Sequence, residues 1–223
     1  MHRRQILHLG AIALPAVLAG CTSTNSADGD GSAGSPTASL SPSPSPSPSP
    51  SPSPTPAGTP VEVISTAAQP DAPIEYEVEM VERRATDEQP ATLRVSVRNL
   101  TDSWLYFGEE RAVQFQHVAS DDGALYLLPD NVRIEEYADP GCWRLAEPVA
   151  VPEYYGTFGV DAGWASVAES YVLGSAELPE GECLPSGEHR VRTSGRVAPT
   201  SDGVLEGSSE STDYQWGFTL RVG

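Results

Sequence analysis

The chain has 223 residues, with 31 Asp and Glu against 13 basic residues and a formal net charge of −18. Every one of those basic residues is Arg; no Lys occurs. So acidic a surface repels nucleic acid, whose phosphates need cations to displace their counterions, and nucleic-acid binding is excluded on that ground.

The chain opens with Arg3-Arg4, then an apolar run from Leu9 to Ala19 broken by a single Pro. A basic start, a short apolar stretch and small residues before a cut describe a secretory signal over residues 1–20. The run is too short to span a bilayer, which takes about 20 residues. Leu18-Ala19-Gly20-Cys21 resembles a lipobox. That resemblance implies cleavage before Cys21 and a lipid on its sulfur. Arg3-Arg4 followed by Gln5-Ile6-Leu7 resembles a twin-arginine signal, a route that exports proteins already folded.

Residues 21–60 read as the lipidated Cys followed by a tether. Its composition is Ser, Thr, Gly, Ala, Asp and Pro, and Ser-Pro pairs run without a break from Ser41 to Pro54. Pro fixes φ and donates no hydrogen bond, so this repeat favours extended polyproline II and spans roughly 40 Å. With so little apolar surface to bury, the segment cannot offset the entropy cost of folding and is expected to be disordered.

Residues 61–223 form the expected domain. Ile74, Tyr76, Val78 and Met80 alternate with mostly acidic neighbours. Leu93, Val95 and Val97 alternate with Arg94, Ser96 and Arg98, and Val113 and Phe115 with Gln114 and Gln116. Trp216, Phe218, Leu220 and Val222 close the chain in the same period. Period 2 is the mark of half-buried strands. Shorter strands are expected at Trp104–Phe107, Ala124–Leu128, Val167–Leu173 and His189–Val197. Turn chemistry punctuates them at Asp102-Ser103, Asp121-Asp122-Gly123, Asp139-Pro140-Gly141, Pro185-Ser186-Gly187 and Ser201-Asp202-Gly203. Seven to nine short strands without a helical stripe predict an all-β antiparallel β-sandwich.

The run from Leu93 to Asp102 resembles the second strand and turn of extracellular immunoglobulin-like modules, and Cys183 to Val191 a later turn and strand of the same kind. The resemblance implies an immunoglobulin-like sandwich. It departs from the antibody pattern because Trp143 directly follows Cys142, where that family separates the two by a strand. Abundant acids with Arg and no Lys resemble the proteins of halophilic archaea. Acidic side chains hold hydration in concentrated salt, where screening over a few Å removes their mutual repulsion.

With Cys21 reserved for lipid, Cys142 and Cys183 remain as an even pair in an oxidising compartment, and a disulfide between them is expected. A blue-copper site would need two His, a Cys and a weak axial Met, which would have to come from His117, His189, Cys183 and Met80. The disulfide removes Cys183 from that set, and no metal or cofactor is expected. The acid pairs Glu109-Glu110, Asp121-Asp122 and Glu135-Glu136 read as solvated surface, with cation binding as the rival. Hydrolase and zinc-protease spacings do not occur around either exported His, so the domain reads as non-catalytic. Asn99-Leu100-Thr101 is a glycosylation sequon at a strand-to-turn junction. Trp104, Tyr106 and Phe107 are assigned to the core, with a sugar-binding platform as the alternative.

The expected function is a lipid-anchored module on the outer face of the cytoplasmic membrane, making protein or envelope contacts in high salt. The alternatives are a solute- or metal-binding lipoprotein, cupredoxin-like or transporter-associated, and an envelope enzyme.

Overall fold

The structure is a computed structural model and describes residues 58–108, 110–150 and 156–223. The signal, Cys21 and the Ser-Pro repeat lie outside the described residues. In chain order the elements are β1 (Thr59–Thr66), β2 (Ile74–Glu82), β3 (Arg84–Ala85), β4 (Ala91–Asn99), β5 (Leu105–Gly108), the short helix α1 (Glu110–Val113), β6 (Val118–Ala119) and β7 (Leu125–Pro129). After a 3-10 turn at Ile134–Glu136 come β8 (Thr157–Val160), β9 (Ala165–Gly174), β10 (Gly187–Ala198), α2 (Ser201–Glu206) and β11 (Thr212–Val222).

Two antiparallel sheets pack face to face as a sandwich. One has the order β3-β1-β11-β10-β5-β8, the other β2-β4-β9-β7-β6. The reason is the alternation already visible in the chain. Leu93, Val95 and Val97 on β4 and Trp216, Phe218 and Leu220 on β11 point inward and are buried, while Arg94, Arg98 and Arg221 in the opposite phase reach the outer faces. At the seam the rings of Tyr76 and Trp216 stack 4.6 Å apart, and Phe115 meets both edge-on. Three large rings drawn from both sheets and the segment after α1 therefore share one dry contact.

The outer faces are ordered by charge. On the second sheet Arg94 lies between Glu79 and Glu169, its cross-strand neighbours on β2 and β9. On the first, Arg221 pairs with Glu188 and Arg196 with Asp213. These pairs are solvent-facing, so each contributes little alone. Their effect is to place cations where strands present rows of carboxylates.

Several expectations are corrected. The domain begins before residue 61: Thr59 and Pro60 pair with Ala85 and Arg84, so the last residues of the expected tether belong to β1. The described strands number six and five in the two sheets, more than expected. The excess includes β3 and β6, each only two residues long and too short to show any period. Val113 and Phe115 are not in a strand. Val113 ends α1, and Phe115 and His117 take φ of 55° and 58°, which no extended strand allows. Both Val113 and Phe115 are buried, and so is Gln114 between them. Ser201-Asp202-Gly203 opens α2 instead of forming a simple turn, because Thr200 caps it by accepting a hydrogen bond from the Gly203 amide.

The registers give the sandwich two poles. Thr59 enters beside Ala85, and Val61 pairs with Val222, which also faces Gly187. This is the entry pole. At the other end Ile74 pairs with Asn99, Arg98 with Ala165, Leu105 with Val160, and Val197 with Phe107. This is the distal pole. Here the chain crosses between sheets twice, from β4 to β5 and from β8 to β9.

Candidate functional site

Asn99 governs the distal pole. It is fully buried at the end of β4. Its side-chain amide donates to the carbonyls of Ser103 (2.7 Å) and Val160 (3.0 Å), while its Oδ1 accepts from the amide and the hydroxyl of Thr101, each at 2.8 Å. Its own backbone N–H donates to Trp164 O at 2.9 Å. One residue thus ties the 100–104 crossing to the 161–164 crossing. The same geometry bears on the sequon. A glycan would have to replace a hydrogen on an amide nitrogen that is enclosed and donates twice, so in the folded domain Asn99 is a structural residue.

The two crossings carry exposed apolar side chains. Leu100, Trp104 and Trp164 are 56%, 50% and 69% exposed. Trp164 sits at the last position of a turn whose third residue, Gly163, has φ 71°, and its N–H donates to Asp161 O at 3.0 Å. A positive φ at that position defines a type II turn and calls for glycine. Val167 and Leu205 are also exposed in this half, whereas of the described large apolar residues only Val81 is exposed near the entry pole. The expected core cluster therefore divides. Phe107 is buried and stacks on Phe158 at 5.0 Å, as a core residue should. Tyr106 points the other way, and Trp104 lies on the surface.

Trp164 was not singled out by sequence reading. The signal that marks it is its place in Asp161-Ala162-Gly163-Trp164, a tight turn with no strand period to carry the ring inward.

The entry pole is stapled. Cys142 and Cys183 are disulfide-bonded, with Cα atoms 4.8 Å apart and a sequence separation of 41. Beside them Trp143 is buried, and its indole N–H donates to Thr86 O. The Trp143 carbonyl accepts from the Gly174 amide, and the Gly174 carbonyl from the Leu145 amide, each at 2.9 Å. A Cβ at Gly174 would lie 1.9 Å from the Cys183 carbonyl oxygen, so the end of β9 admits only glycine there. The loops carrying the disulfide are thus clamped onto the second sheet.

His189 lies on β10 and is buried. Its Nδ1 is 2.8 Å from Asp122 Oδ2 and its Nε2 is 3.1 Å from Pro185 O. Asp122 sits in the β6–β7 turn, and its neighbour Asp121 pairs with Arg192 while donating its backbone N–H to Arg190 O. This turn of one sheet is latched to a strand of the other. Burial works against the charge of Asp122, but hydrogen bonds from Ser120, His189 and the Ala124 amide together hold its carboxyl below the ordinary carboxylate range.

Two residues of the copper alternative are accordingly occupied: Cys183 by Cys142, and both ring nitrogens of His189 by oxygens. Of the acid pairs, Asp121 and Asp122 are engaged as above and Glu136 pairs with Arg133. The side chains of Glu109 and Glu110 lie outside the described residues. Among the described residues no group of three or more His, Cys, Asp or Glu could hold a metal ion.

An open cleft of about 550 Å³ lies beside α2, lined by Gly108, Gly195, Arg196, Val204, Leu205, Asp213 and Tyr214. Its polar groups answer one another. Arg196 bonds Asp213, and the Tyr214 hydroxyl lies 3.1 Å from that of Tyr76, which in turn donates to Val113 O. Burial pushes the Tyr214 phenol up to about 12.

Fold and surfaces together define an all-β sandwich domain with one disulfide-stapled pole and one pole of bare aromatic side chains. No protein-family model, curated protein or solved structure matches the chain.

Proposed function

We propose that the chain is a non-catalytic binding module displayed at the cell surface: the signal is removed, Cys21 carries a lipid in the outer face of the cytoplasmic membrane, and the Ser/Pro tether holds the sandwich outward. The observation that carries this reading is the polarity of the domain. The chain enters at Thr59, at the stapled pole, while Leu100, Trp104 and Trp164 are exposed at the other. Large apolar side chains left exposed at one end of a domain mark a contact site. In this reading an extracellular protein or envelope partner meets the exposed side chains of that pole.

The immunoglobulin-like reading is supported by the neighbour order β2-β4-β9-β7 opposite β11-β10-β5, which parallels the ABED and GFC sheets of that fold. Two features depart from it. β7 precedes β8 in the chain, so the outer strands do not follow the immunoglobulin sequence, and the disulfide joins loops instead of the two central strands.

The halophilic character and twin-arginine export belong to the same proposal. Without Arg3 and Arg4 the net charge becomes about −20, which molar salt would screen. The test is membrane fractionation of a Cys21→Ser chain. It is expected to appear in the medium or to stay at the unprocessed size, while the wild-type chain sediments with membranes. A Cys21→Ser chain that remains membrane-bound at the mature size defeats the lipid anchor. In a second arm, changing Arg3 and Arg4 to Lys should halt export.

A further inference from the structure

The outer edge of the first sheet at the distal pole is built in a way that core packing does not require. On β5, Leu105 and Phe107 point inward, so Tyr106 projects outward, with Trp104 just before the strand on the same side. The facing residue on β8 is Gly159, paired with Tyr106. A Cβ at Gly159 would lie 2.9 Å from the Trp104 ring and 3.2 Å from the Tyr106 ring. The glycine therefore leaves a floor on which both rings lie. Their centroids are 6.4 Å apart and their planes differ by 32°. Trp104 is 50% exposed, as expected for an indole with one face on the strand and the other open to solvent.

We propose that this aromatic shelf binds a neutral saccharide, with a pyranose ring stacked on the open face of Trp104 and the next sugar toward Tyr106. The proposal rests on the surface-display reading and names the class of its partner. Stacking suits this ligand because one face of a pyranose presents only C–H groups, which pack on the electron-rich face of an aromatic ring. Its hydroxyls would meet acceptors at the rim, where Asp102 precedes Trp104 in one crossing and Asp161 follows Val160 in the other. The charge argues for a neutral ligand. A sulfated or uronic polymer would be repelled by a chain this acidic. A cationic peptide would be held by charge alone, which molar salt screens within about 3 Å. Apolar stacking survives those conditions.

Tryptophan emission reports on the distal pole, because Trp143 and Trp216 are 2% and 1% exposed whereas Trp104 and Trp164 are open. The full chain, purified in detergent and molar salt, is titrated with cellohexaose, maltohexaose and chitohexaose, and with a poly-arginine peptide. At least one oligosaccharide is expected to shift the emission saturably. Trp104→Ala, which also removes the reporting ring and is therefore read by calorimetry, should weaken binding at least tenfold without changing the circular dichroism spectrum or melting temperature. Gly159→Val, which keeps the indole but lifts it off its floor, should weaken it comparably. No response to any of the three sugars, an unchanged affinity in Trp104→Ala, or a response to poly-arginine alone each overturns the saccharide assignment. Anchoring through Cys21 is read separately by fractionation, so that failure leaves the surface-display reading standing.

Discussion

Replacing Cys142 and Cys183 together with Ser is expected to destabilise the domain by about 4 kcal/mol, the chain-entropy value for a closed loop of 41 residues. The loss should also depend on salt. At 1 M the Debye length is about 3 Å, and at 0.01 M it is about 30 Å, so on dilution the unpaired carboxylates act on one another across the whole domain. The disulfide limits how far an unfolding chain can expand under that repulsion. The double variant should therefore need more salt to stay folded than the wild type does. Urea titrations followed by circular dichroism across a salt series measure both effects. Curves for the two proteins that coincide at every salt concentration would remove the staple from the account. A wild-type midpoint indifferent to salt would remove the halophilic proposal.

Asn99→Ala should lower stability by about 3 kcal/mol, and the reason lies in what it strands. Removing the side chain takes its partner from the Val160 carbonyl and the Thr101 amide, while the Ser103 carbonyl keeps only the Thr101 hydroxyl. A buried polar group left unsatisfied costs about 1–3 kcal/mol, with partial relief where water reaches the Ser103 end. Asn99→Asp is expected to be no better, because it turns a carboxylate oxygen toward the two carbonyls. Leu100→Ala, one residue on and exposed, should stay within about 0.5 kcal/mol of wild type. If Asn99→Ala proves as mild as Leu100→Ala in thermal melting, Asn99 does not hold the distal crossings.

Strand periodicity carried most of the fold. The alternation in Ile74–Met80, Leu93–Val97 and Trp216–Val222 placed three long strands and their inward faces correctly, because each sheet has one dry side and one charged side. Period alone failed where tertiary context decides. Gln114 and Phe115 look like strand alternation, yet both point inward because the segment packs across the sandwich seam. Asn99 reads as a surface sequon in the sequence, since nothing local reveals that the β8–β9 crossing will close over it. The disulfide was legible from cysteine counting, as the pair had no other use. The aromatic shelf was half legible: Trp104 and Tyr106 were visible as a cluster, but Gly159 lies more than fifty residues away and meets them only through the β5–β8 pairing.

The most direct test of the central claim is limited proteolysis of intact cells in molar salt, with the released material identified by intact mass. A surface-displayed, tethered sandwich predicts a soluble fragment whose new N-terminus falls between Thr22 and Ala57 and which runs through to Gly223, with the Cys142–Cys183 bond unreduced. A chain that stays protected until the cells are lysed would contradict it.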